Sequence, residues 1–381
     1  MGLSRYKLGE LIEQCDERNS HGLLSVDDVR GISTNKKFIE TKANMNGINV
    51  NSYKIVDTNQ FAYVADTSRR GDKIAIAYKK LEGAILVSSI YTVFTIKKNN
   101  LLSSDFLFIY FNRPEFDRYS RFNSWGSARE TFSWEDMCDM DIDLPPLAIQ
   151  QKYVNVYNAM VANQKAYERG LDDLKLTCDA YIDELKKKFP HKKIGNYISL
   201  CDAKNDDLEY GLDLVRGISI EKRFIDTKAN MEGVSLKPYA IVHPNEFAYV
   251  TVTSRNGEKI SLARNDSKQS YLCSSSYIVF KVNDKNKILP AYLSMLFERC
   301  EFNRYARFNS WGSARETFDW EVMQEVSFPI PDIEIQQDIV NIFEAYNARK
   351  EINDKLKAQI KAICPILIKG SIEEGRNTKE A

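Results

Sequence analysis

Arg121 to Trp134 reads RFNSWGSARETFSW, and Arg307 to Trp320 reads RFNSWGSARETFDW. Only Ser133 and Asp319 differ, and the two stretches lie 186 residues apart. The same step joins RGIS at Arg30 to RGIS at Arg216, FIETKANM at Phe38 to FIDTKANM at Phe224, and FAYV at Phe61 to FAYV at Phe247. It joins EFDRY at Glu115 to EFNRY at Glu301, Cys15 to Cys201, and Gln150-Gln151 to Gln336-Gln337. Two such units account for 372 of the 381 residues. Solenoid repeats run about 20–50 residues, whereas a unit of this length can bury its own core. The fold is therefore one domain-sized unit written twice.

Composition narrows the function. Lysine plus arginine equals aspartate plus glutamate at 53 each, so total charge gives no general pull toward polyanions, although a local basic face remains open. Seven cysteines (Cys15, Cys138, Cys178, Cys201, Cys273, Cys300 and Cys364) contain no CxxC pair, which argues against a disulfide framework or a zinc site. Three scattered histidines offer no metal cluster. The most apolar run, 84–96, is too short to span a bilayer and no signal peptide opens the chain, so a cytoplasmic location is expected.

Within each copy the pattern runs from strand to helix. A short amphipathic stretch at Tyr6–Ile12 predicts one or two helical turns. Ile55-Val56, Phe61–Val64, Ile74–Ala77 and Ile90–Phe94 are short, β-branched or aromatic, and bounded by turn residues, which predicts strands. Residues 103–112 predict a helix, and 139–144 a last strand before Pro145-Pro146. Beyond the prolines, Tyr157, Met160, Gln164, Tyr167, Leu171, Leu174, Cys178, Tyr181 and Leu185 alternate at spacings of three and four, a coiled-coil seam with one polar position at Gln164. A helix from Leu147 to Lys188 would be roughly 60 Å long. Ile339, Ile342, Tyr346, Leu356, Ile360, Ile363 and Leu367 predict its counterpart from about Ile333, with Pro365 kinking or fraying the end. The expected fold class is α+β, with two similar α/β globules separated by two long helices. Those helices would pack as an antiparallel coiled coil about a pseudo-twofold axis. The expected boundaries are 1–145, 146–189, 190–331 and 332–381.

No catalytic constellation is present. GxGxxG and P-loop patterns are missing. Asp143-Leu144-Pro145-Pro146 only superficially approaches the acid/amide-Pro-Pro-aromatic pattern of amino-group DNA methyltransferases, because a leucine intervenes. No catalytic residue, metal or cofactor is assigned. The repeated motif is more informative. Arg121, Ser124, Ser127 and Arg129, with Arg307, Ser310, Ser313 and Arg315 in the second copy, set basic and small hydroxyl residues among Phe122, Trp125 and their twins. That mixture suits a nucleic-acid surface. The bland alternative is a structural loop in which Arg129 pairs with Glu130 or Glu135, and Trp125, Phe132 and Trp134 are core. A second loop offers Ser68, Arg69 and Lys73, matched by Ser254, Arg255 and Lys259. An arginine there could reach guanine with two hydrogen bonds, or the loop is an ordinary solvated turn. One block fails to match at any position, YKKLEGAI from Tyr78 against RNDSKQSY from Arg264. Its Tyr78, Lys79 and Lys80, and Arg264, Asn265 and Lys268, either have drifted in a hairpin tip or let the two copies read different targets.

EFDRYSRFNSWGSARETFSWEDM, followed by LPPLAIQQKYV and a long helix, resembles the specificity subunit of Type I restriction–modification systems over nearly the whole chain, twice. RGIS, KKFIETKANM, FAYV and SSIYTVF are similar to segments of that family's target-recognition domains. The resemblance implies two domains that each read half of a bipartite site in double-stranded DNA. It implies helices that set the gap and dock two modification subunits. Those partners carry S-adenosylmethionine and methylate adenine, restriction subunits can join, and the specificity subunit is not itself an enzyme. The family's two domains commonly differ, whereas these are near copies, so a near-inverted-repeat target is expected. A protein-binding adaptor with twin globules is the competing reading, and the zero net charge leans toward it.

Overall fold

The computed structural model describes residues 2–378, apart from 69, 70, 72, 128, 254–258 and 314. The chain divides into two compact units. Met1–Tyr167 with Ile352–Ala381 forms the first, and Glu168–Glu351 the second.

The first unit is built on a four-stranded antiparallel sheet in the order Ile12–Cys15, Thr92–Ile96, Phe61–Tyr63, Ile76–Tyr78. Alternation along a strand sends successive side chains to opposite faces. Phe61, Tyr63, Ile76 and Phe94 face the helix Ser104–Phe111, where Phe106, Leu107 and Phe111 complete the main core. Ala62, Ala77 and Val93 face the other way, onto Ile32, Val56 and Val87. A strand buried on both sides has no polar face, which is why FAYV reads as an unbroken apolar run. Phe61 pairs with Phe94 across the ladder and stacks on it at 5.1 Å. The second unit repeats this register, with Phe247 opposite Phe280 at 4.9 Å.

Sequence and structure part in three places. The stretch expected to be helical at Tyr6–Ile12 is a strand, Ser4–Lys7, one 3-10 turn, Leu8–Glu10, and a second strand. Leu8, Leu11 and Ile12 are buried at helix-like spacing, yet pairing of Ser4–Lys7 with Asp141–Leu144 overrides it, reinforced by Arg5 on Asp143 at 2.7 Å. A helix over Pro114–Phe122 was not anticipated. Its signals are Pro114 at the first position and Glu115 and Asp117 in the first turn. Fraying at Pro365 does not occur. The helix Ile333–Asn377 runs through it, because Cys364, Leu367 and Ile368 are buried in the first unit's core, and that burial outweighs the missing N–H.

The other long helix spans Leu147–Lys188. Within the first unit Lys152 meets Glu374 at 2.8 Å, and the buried Gln164 amide donates to Asn353 at 2.9 Å. Numbers rise on one helix as they fall on the other, so these segments run antiparallel. Within the second unit Cys178, Ile182 and Leu185 share a core with Ile339 and Val340. Each long helix is fastened to its globule by a fully buried glutamine. Gln150 donates to the carbonyls of Leu101 (2.7 Å) and Pro145 (2.8 Å) and accepts from the Ser103 amide (3.0 Å). Gln336 does the same with Lys287, Pro331 and Leu289. No helix among the described residues is long and apolar enough to cross a membrane.

Candidate nucleic-acid interface

The repeated motif folds as a helix end followed by a tight hairpin. Pro114–Phe122 stops at Asn123, whose side chain donates to the Tyr119 carbonyl at 2.9 Å. Ser124-Trp125 then pairs with Thr131-Phe132. Gly126 has φ +142°, and a Cβ there would lie 2.1 Å from the Arg129 carbonyl oxygen; Gly312 has φ +141° and the corresponding approach is 2.2 Å. Only glycine lets the loop close this tightly. Phe132 is fully buried and Trp134 packs against the core, as the structural reading of those two residues expects.

The second predicted loop lies directly beside this hairpin. The Thr67 amide and hydroxyl both donate to the Glu130 carbonyl, at 3.0 and 3.2 Å, and Thr253 does the same to Glu316 at 3.0 and 3.3 Å. Two stretches more than fifty residues apart in sequence thus form one surface in each unit. On it Arg121 pairs with Glu130, and Arg307 with Glu316. This replaces the Arg129 pairings considered from sequence. Arg129, Arg315, Ser127 and Ser313 are exposed. So are Phe122 (78%) and Trp125 (65%), matched by Phe308 (78%) and Trp311 (67%). In the second unit Arg304, Arg307, Phe308, Trp311 and Glu316 line an open hollow of about 590 Å³.

Several predicted site residues are turned elsewhere. Ser124 and Ser310 are buried and donate to the carbonyls of Ser120 and Ala306 at 2.6 Å, so their hydroxyls finish the helix. Ser68 is exposed but donates to Asp66 at 2.7 Å. Lys73 lies against Lys361 of the C-terminal helix and pushes that amine's pKa down. Lys259 is paired with Glu221 at 2.7 Å. The divergent block has an exposed tip, at 80–83 in the first copy, but its base faces inward. Lys79 is buried on the Leu81 and Glu82 carbonyls, and its counterpart Asn265 is buried on Val242 and Gln269. Tyr78 stacks on Phe61 at 4.7 Å, Lys80 binds Asp105 at 2.7 Å, and Arg264 donates to Asn245 at 2.9 Å. Lys268 is exposed. Thus Tyr78 and Lys79, and Arg264 and Asn265, support the globule in two different ways, while the tips are exposed. Arg69, Ser254 and Arg255 fall outside the described residues.

Beneath the helix Pro114–Phe122 lies a polar arrangement that sequence reasoning missed. Lys36 sits in a left-handed turn (φ +58°) and is buried on Asp117, which also accepts from the Ile74 amide at 3.3 Å. This ties the helix bearing Arg121 and Phe122 to the sheet. In the second unit Asn303 replaces Asp117, and Lys222 (φ +57°) donates instead to the Ile260 carbonyl at 3.0 Å. Burial pushes Lys222 down to about 7, opposed by Glu298, whose own carboxyl burial pushes up. Glu298 stands where the first copy has Asn112. The Asn303 side-chain oxygen is buried with no partner among the described residues. A signal was available in the sequence, because the acid leaves position 117 and one appears five residues earlier in the other copy.

Residues 233–362 match the family model of the Type I restriction modification DNA specificity domain. The 186-residue step carries the same pattern onto the first copy. Among solved structures, the S subunit of a Type I restriction–modification system from M. genitalium has a TM-score of 0.62 at 10% identity, covering 97% of this chain and 96% of that one. The HsdS subunit from Thermoanaerobacter tengcongensis gives 0.39 at 15% identity, covering 97% and 96%. The first likeness is one of fold. Nothing among curated proteins matches the chain.

Proposed function

We propose that this chain is the DNA-reading subunit of a Type I restriction–modification assembly and directs methyltransferase and restriction subunits to a bipartite site. Residues 1–145 and 190–331 each read one half-site. Residues 146–189 and 332–381, paired as an antiparallel coiled coil, set the interval and seat two modification subunits. The chain works in the cytoplasm and carries no chemistry of its own; methyl transfer belongs to its partners. The observation that supports this reading most is the surface shared by both units. There, two loops distant in sequence converge on an arginine–glutamate pair flanked by exposed arginine and aromatic side chains. Arginine held by a carboxylate keeps its remaining N–H donors aimed outward, a geometry suited to guanine or phosphate. Because the two surfaces are near copies, the two halves of the target form a near inverted repeat.

Sequencing methylated DNA from cells that carry the system tests this directly, and unrelated halves would refute the symmetric reading. Arg121→Ala and Arg307→Ala should each weaken DNA binding by the co-purified complex without lowering its thermal midpoint. Unchanged affinity in both variants would remove that pair from the interface.

A further inference from the structure

Exposed apolar side chains are common on proteins, and singly they need no explanation. Here the two copies act as internal controls. Leu23, Leu81 and Ile90 are exposed in the first unit, at 81%, 77% and 75%. Their counterparts are Glu209, Ser267 and Ser276, so nothing holds those positions apolar. Phe122 and Trp125 are comparably exposed, yet the second copy keeps the same aromatic at each position at nearly the same exposure. They do not serve the core, which Phe132 and Trp134 already fill. Trp125 stands at the start of a hairpin closed by the obligatory Gly126, and Phe122 ends the helix tied down by Asp117. Both are therefore large apolar groups on stiff supports. Around them Arg129 is exposed, and Arg118 and Arg121, paired with Glu115 and Glu130, keep further N–H donors available.

We infer that Phe122 with Trp125, and Phe308 with Trp311, enter the base stack of duplex DNA and unstack one base step in each half-site. This rests on the DNA-reading function proposed above and names how that surface grips. An apolar wedge between bases recovers the unstacking by contact with the base faces. Exposed arginines beside the wedge hold the flanking phosphates, so the wedge cannot enter without the backbone being gripped. A protein partner would leave the arginines facing a surface of no fixed charge. A duplex supplies stacked apolar faces and phosphates together.

The test uses the complex co-purified with its modification subunits and duplexes carrying the methylated motif, with 2-aminopurine placed in turn at each step of a half-site. Its emission should rise at one step per half. That step must differ from the methylated adenine, which methyltransferases flip on their own account. In Phe122→Ala/Trp125→Ala/Phe308→Ala/Trp311→Ala the rise should vanish and affinity should fall roughly tenfold to a hundredfold, while the salt slope and thermal midpoint hold. Sequence-specific binding with no such rise, or a rise that survives in the variant, overturns the wedge and leaves the DNA reading intact. Absence of any salt-dependent DNA binding by the wild-type complex overturns both.

Discussion

Asp117→Asn converts the first unit's buried polar arrangement into half of the second unit's. Lys36 stays as buried as before but loses its carboxylate, and the Ile74 amide loses a charged acceptor. Removing one partner of a buried pair costs about 3–5 kcal/mol. At about 2–4 °C per kcal/mol for a unit of this size, the first unit's unfolding midpoint should drop by roughly 6–20 °C. The pH dependence follows from the amine. Burial already holds Lys36 below the ordinary lysine value, and without Asp117 it sinks further. Between that lowered value and the usual 10.5, the unfolded chain binds more protons than the folded one, so stability rises with pH. The deficit should therefore be full while the buried amine is still protonated and fade as pH rises toward the ordinary lysine value. Adding Asn112→Glu supplies an acid where Glu298 stands in the second unit and should restore part of the loss. Calorimetry of wild type, single and double variants across pH 6–10 measures all three effects. A midpoint unchanged at pH 6, or a deficit that does not shrink by pH 10, would refute the reasoning.

Lys222→Met should stabilise the second unit by about 1–4 kcal/mol below about pH 7, the order expected when a buried charge with no ion-pair contact is replaced by an apolar side chain, less what Glu298 loses with its nearby cation. The gain should disappear toward pH 10 in the same calorimetric series. Gln150→Leu and Gln336→Leu each strand two carbonyls and one amide, so denaturant titration should show a loss of at least about 3 kcal/mol apiece. A loss under half of that would mean water replaces the amide. Gly126→Ala places a Cβ against the Arg129 carbonyl and should strain the hairpin by about 1–3 kcal/mol. It should weaken DNA binding by the complex while the rest of the unit melts normally; wild-type affinity would show the loop is free to rearrange.

The large features of the fold were legible because they are periodic or repeated. Seam residues from Tyr157 to Leu185 gave the long helix its existence and Gln164 its buried polar place, and the prolines before Leu147 gave its start. The FAYV strands were legible from their short aromatic and β-branched runs bounded by turn residues. Short elements were not legible, because their pairing partners are distant. Ser4–Lys7 becomes a strand through Asp141–Leu144, about 135 residues away. At the candidate site, residue type picked out two loops that the fold brings side by side, but not which atoms face outward. Serine at a helix end bonds back to a carbonyl four residues earlier, which removed Ser124 and Ser310. The hairpin-tip lysine Lys79 went to its own backbone. Exposed aromatics were underrated because, in one copy, Trp125 looks as much like core as Trp134 does.

The compensated lysine sites also bear on how such genes could be shuffled. Lys36, Asn112 and Asp117 all precede Arg121, and Lys222, Glu298 and Asn303 all precede Arg307. Genetic exchange is favoured where two stretches match, and the longest match begins at those arginines. A crossover there moves each amine together with the acid tuned to it, so hybrid offspring inherit an intact set rather than a mismatched one.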